Sequence, residues 1–150
     1  MSWTKAFRSV GLTVNGDKTT INERTCPLGQ RDPGLTVIEW PENQIWDEKS
    51  LGVALNGWEA LEQARIEERS LVIPPLCMVL EYLRTHRRWL YLWPKLLACN
   101  CPAANPRGGN VDIVSFSFLS SDMTSGTVDL LWIDQDFWFP PHVFLFARQR

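Results

Sequence analysis

The only basic cluster in the sequence is Arg84-Thr85-His86-Arg87-Arg88, followed closely by Trp89, Tyr91 and Trp93. Guanidinium groups pair with carboxylates and phosphates in a planar fork, while aromatic rings offer rigid apolar area or stack on bases. The combination suits an acidic protein surface, RNA or anionic lipid headgroups. Its plainer meaning is a solvated helix face whose aromatic neighbours turn into the core.

A second group is Asp134-Gln135-Asp136 with His142. Two carboxylates and an imidazole are what a divalent cation or an activated water requires, so these residues define a small metal-dependent hydrolase or nuclease as one reading. D-x-D at a strand end is also ordinary turn chemistry, and no nucleophile or phosphate cradle stands beside it. Arg107-Gly108-Gly109-Asn110 lacks the spacing and the following lysine of a P-loop. Among Cys26, Cys77, Cys99 and Cys101 there is one C-x-C and no C-x-x-C, which provides no zinc framework. Cys99-Asn100-Cys101 reads as two loop thiols, reactive only where a helix end or His86 lowers a thiol pKa. Two histidines among many serines define no triad. No catalytic residue, metal site or cofactor is assigned.

Aromatic residues point elsewhere. The chain carries eight tryptophans, and arginine outnumbers lysine by eleven to four. Trp and Arg are enriched where proteins bind one another, although tryptophan is also a common core residue. Asp136 to Phe146, DFWFPPHVFLF, places Phe137, Trp138, Phe139, Phe144 and Phe146 around Pro140-Pro141. One face of a strand absorbs about half of these rings, and any that protrude form an apolar patch of the kind that marks a partner.

These residues need a scaffold, and the composition provides for one. At 150 residues, 45% hydrophobic and 21% charged, the chain fits a single domain with a real core. A net charge of −2 and a pI near 5.7 exclude a surface built throughout to hold nucleic acid. No uncharged run approaches the roughly 20 residues of a membrane span, and no basic-then-apolar leader opens the sequence. With Ser2 in place of Gly and RQR at the end, there is no lipid-anchor motif. An intracellular, cytoplasmic protein without a transmembrane segment is expected.

Trp3 and Phe7 stand one helical turn apart. Asn15-Gly16, between GLTV and KTTINE, predicts a β-hairpin through a type I′ turn. Asp32-Pro33-Gly34 predicts a turn before a strand over Leu35 to Trp40, stopped by Pro41. A helix follows Asp47, with Leu51, Ala54, Leu55, Trp58, Leu61 and Ala64 inward. Pro75 opens a second helix, apolar on two sides through Leu76, Val79, Leu80 and Leu83 and through Cys77, Met78 and Tyr82. Trp89 to Trp93 fits helix or strand, with helix favoured, and Asn100 to Asn110 reads as a loop. Strands are expected over Val111 to Leu119, Thr127 to Ile133 and Val143 to Arg148, joined by short turns.

The expectation is therefore one α+β domain over residues 1–150: an N-terminal hairpin plus a strand, two central helices against one sheet face, and a C-terminal antiparallel meander. The function it suggests is non-enzymatic, that of a binding or regulatory protein occupying another protein through Arg84, Arg87, Arg88, Trp93, Trp138 and Phe139. Small viral accessory, inhibitor and immunity proteins have compositions of this sort. A peripheral, matrix-type assembly protein on RNA or an anionic membrane is the alternative. The sequence does not specify an oligomeric state.

Overall fold

A computed structural model describes residues 2–15, 23, 27–40, 57–86, 96–104, 111–117, 127–132 and 143–150. It shows a mixed α+β fold. The turn spacing of Trp3 and Phe7 becomes helix α1 (Trp3–Ser9), with both rings buried and packed edge to face at 5.4 Å between centroids. Ser2 caps it, its hydroxyl accepting from Lys5 N at 3.3 Å. The helix stops at Gly11, whose φ of 78° suits glycine. There Leu12 N donates to Phe7 O and Gly11 N to Arg8 O, both at 2.9 Å, the paired bonds of a Schellman end. The chain leaves with Leu12 buried like Phe7.

β1 (Thr13–Asn15) follows. Gly16 and most of the second arm of the expected hairpin lie outside the described residues; among the described strands β1 pairs with β5 (Thr127–Trp132), in parallel. The Asp32-Pro33-Gly34 turn is present. Asp32 accepts from Leu35 N through its carbonyl at 3.1 Å and from Gly34 N through its carboxylate at 2.8 Å. It launches β2 (Leu35–Trp40), with the boundaries its flanking prolines predict.

Helix α2 (Gly57–Glu67) buries Ala60, Leu61 and Ala64 and leaves Glu62, Gln63 and Glu67 outside, as the periodicity predicts. Residues 47–56, where that helix was expected to start, lie outside the described residues. Helix α3 (Leu76–Thr85) begins one residue later than expected, with Pro75 as its cap rather than its first turn. Proline has no side-chain acceptor to offer the first-turn amides. The Leu28 carbonyl accepts from Cys77 N at 2.9 Å instead.

The remaining strands are β3 (Leu96–Ala104), β4 (Val111–Ser117) and β6 (Val143–Gln149). The sheet order is β1-β5-β4-β3-β6-β2. This corrects two expectations. β4 and β5 pair antiparallel as expected, but β6 leaves the meander to lie between β3, in parallel, and β2, antiparallel. Asn100 to Ala104 is strand rather than loop. The register passes from Cys99↔Ser115 to Cys101↔Val114, so Asn100 is the extra residue of a bulge. Pro102 is tolerated because β6 pairs with β3 only over Leu96–Ala98, leaving an edge farther along among the described residues.

The helices also occupy both sheet faces, not one. Ile38 and Trp40 of β2 stand opposite Phe146 and Phe144 of β6. These four pack with Ala60, Leu61 and Ala64 of α2 and with Leu71 in one buried cluster. Each large side chain there contributes roughly 1.5–3 kcal/mol by leaving water. The alternate residues, Glu39 on β2 and the fully buried Leu145 and Ala147 on β6, belong to the opposite face. That face meets α3, which runs against β2 and β3 and also packs on α1. Strand β6 is apolar at four successive positions because both its faces are covered. In the plane of the sheet, Val72 extends the β3 side of β6 by exchanging both backbone hydrogen bonds with Ala147, at 2.8 and 2.9 Å.

Candidate functional site

Leu76, Val79, Leu80 and Leu83 fix the orientation of α3 by being buried, which turns its last turn outward. Arg84, Thr85 and His86 are exposed there. The helix end is tied off locally. His86 N donates to Tyr82 O at 2.9 Å, and Thr85 Oγ1 donates to the same carbonyl at 3.1 Å. His86 Nδ1 lies 3.0 Å from that oxygen too, a contact in which the ring nitrogen is the donor because a carbonyl only accepts. These bonds lay the imidazole flat on the Tyr82 ring, with centroids 3.9 Å apart and planes within 7°. On its other side the Tyr82 phenol donates to the Glu39 carboxylate of β2. Burial pushes the Tyr82 phenol pKa up, so it stays a neutral donor through the ordinary pH range.

Along α3, from Cys77 to Arg84, lies a groove of about 230 Å³ between α1 and α3. Ala6, Ser9 and Val10 form one wall, Cys77, Leu80, Glu81 and Arg84 the other, and Leu28 lies along it. Ala6, Val10, Leu28 and Leu80 make the lining largely apolar. Ser9 turns its hydroxyl back to the Ala6 carbonyl at 2.6 Å, so the α1 wall offers little polar chemistry. The charges are on the far wall. Arg84 is exposed, and Glu81 shares its carboxylate with Arg31 at 3.8 Å. Cys77 is a half-buried thiol and not part of a disulfide.

Of the six contact residues expected from the sequence, Arg84 is placed, exposed on the groove wall. Arg87, Arg88, Trp93, Trp138 and Phe139 lie outside the described residues, as do Asp134, Asp136 and His142. Phe144 and Phe146, two rings of the aromatic segment, are core residues. Cys99 and Cys101 are not loop thiols but lie on β3. Among the described residues no group of three or more His, Cys, Asp or Glu is placed to hold a metal ion, and no helix is long and apolar enough to cross a membrane.

Sequence reasoning missed the α1 wall of the groove and the Tyr82–Glu39 pair. The four-residue spacing of Tyr82 and His86 does signal a stacked pair on a helix. Nothing local signals Glu39, 43 residues from Tyr82, beyond a carboxylate set between the buried Ile38 and Trp40 of an otherwise β-prone run.

Compared with protein-family models, curated proteins and solved structures, the chain matches none of them.

Proposed function

We propose that the chain is a non-enzymatic binding protein that acts by occupying another protein, in the manner of small viral accessory or inhibitor proteins. It works inside the cell as a single domain. The observation that carries this reading is the apolar groove between α1 and α3, whose wall runs directly into the exposed basic turn at Arg84. An apolar recess rimmed by charge is the common composition of a protein-binding surface: the recess provides affinity and the rim selects the partner. Arg87 and Arg88, the next charges in the sequence, are proposed as further basic contacts, and Trp93, Trp138 and Phe139 as aromatic ones.

The test is affinity capture from cells that express the protein, at low and high salt, beside a variant carrying Arg84→Ala, Arg87→Ala and Arg88→Ala. A stoichiometric protein that survives high salt and is weakened by the triple variant is the expected result. Recovery of RNA or anionic lipid alone, lost with salt, would replace this reading with the assembly-protein one. Metal-dependent turnover abolished by Asp136→Asn would replace it with hydrolysis.

A further inference from the structure

We infer that the groove between α1 and α3 receives one apolar side chain from an acidic segment of a protein partner. This inference rests on the protein-binding reading above and specifies the chemistry of the partner. Size is the first argument. At about 230 Å³ the recess falls below the roughly 300–1,000 Å³ of sites that enclose a whole small molecule, yet it admits a single leucine-sized side chain.

Lining chemistry is the second. Among the described residues none that lines the groove is aromatic, so these walls offer a nucleobase no ring to stack on. Ala6, Val10, Leu28 and Leu80 offer dispersion contact and desolvation instead.

Charge is the third. Among the described residues, Arg84 on the wall and Arg31 beside Glu81 outnumber the Glu81 carboxylate. Arg31 also draws on that carboxylate. Glu23 is directed elsewhere, accepting from Trp3 N at the opposite end of α1. An approaching segment therefore meets positive potential around an apolar hole, which favours carboxylates flanking the inserted side chain.

The experiment uses the full chain and three capped synthetic peptides: one leucine flanked by aspartates and glutamates, the same peptide with alanine for leucine, and a third with lysines for the acidic residues. Binding is followed by fluorescence anisotropy, and occupancy by the rate at which iodoacetamide alkylates Cys77, mapped by mass spectrometry to separate it from the other cysteines. The acidic leucine peptide should bind and slow Cys77 alkylation. Replacing its leucine by alanine should weaken binding by about tenfold, as expected for losing most of a buried leucine.

Two variants at exposed positions locate the effect. Ser9→Trp should fill the mouth and abolish binding, while Arg84→Glu should weaken the acidic peptide about tenfold and relieve the exclusion of the lysine peptide. Equal binding of the leucine and alanine peptides, equal binding of the acidic and lysine peptides, an unaffected Ser9→Trp, or no protection of Cys77 would each overturn the inference. A partner captured from cells and retained by Ser9→Trp would overturn the groove assignment while leaving the binding-protein reading intact; absence of any captured protein would count against that reading itself.

Discussion

The Tyr82 phenol of α3 donates to the Glu39 carboxylate of β2, fastening the helix that carries the basic turn to the edge strand of the sheet. The same ring supports His86 on its other side. A single side chain thereby sets the position of the surface that follows it.

Tyr82→Phe removes this charge-assisted bond while keeping the ring and the stack. The expected cost is about 1–2 kcal/mol in chemical denaturation, given a half-buried pair. Burial raises the phenol pKa in the folded chain above its ordinary value of 10.0. The folded state thus holds its proton to higher pH than the unfolded state. The associated stability is whole below about pH 10 and is lost as pH rises through the folded value. Tyr82→Phe should remove that part of the alkaline decline, and an unchanged slope would count against the assignment.

Acid should loosen a different joint. Arg148 Nε of β6 donates to Glu68 Oε2 at 2.7 Å, and this bond is the main cause holding the Glu68 carboxyl below its ordinary 4.5. The stabilisation is present above about pH 4.5 and is lost as pH falls through the lowered value. Both side chains are about a third exposed, so screening limits the effect to less than about 1 kcal/mol. Urea titrations from pH 6 to 3 should show a shallower fall for Glu68→Gln than for the parent.

Gly29 should tolerate no side chain. Its φ is 72°, and a Cβ there would lie 3.1 Å from the Cβ of Pro75, where the Leu28 carbonyl serves the start of α3. Gly29→Ala should cost at least about 1–2 kcal/mol, the usual penalty for an L-residue in the left-handed region. A neutral result in thermal denaturation would show that this segment does not close on α3.

Two substitutions should map the core against the surface. Phe146 is fully buried between β2 and α2, and Phe146→Ala should cost about 3–5 kcal/mol. Ile66 on the outer side of α2 is 77% exposed, and Ile66→Ser should change stability by less than about 0.5 kcal/mol. Parallel denaturation curves report both.

Local punctuation was the legible part of this chain. Pro33-Gly34 and Pro41 delimit β2 because each acts within a few residues, and the alternation of α3 leucines marked its buried face for the same reason. What escaped was set by distance or by context. Asn100 and Pro102 carry loop signals that the structure uses as a bulge and as an edge position, and their meaning depends on where β6 stops pairing. The placement of β6 between β3 and β2 cannot be inferred from short connections, which predict neighbours instead. Its run Phe144-Leu145-Phe146-Ala147 did hold the sign of a strand covered on both faces, and hence of helices on both sides. At the site, Arg84 was legible as a charge. The recess beside it was not, because Ala6, Ser9 and Val10 become a wall only once α1 packs on α3.

The insertion of β6 has a consequence for how the protein is made. Arg150 Nε reaches Thr36 Oγ1 across 114 residues of chain, beside the ladder that joins β2 to β6. Until β6 leaves the ribosome, Ile38 and Trp40 lack the strand that pairs with them among the described residues, and the apolar side of α2 has only part of its sheet. Closing so long a loop is entropically costly and slow, and the waiting surface is adhesive. Nascent chains halted before Val143 should therefore bind a chaperone and resist release until the missing strand is supplied.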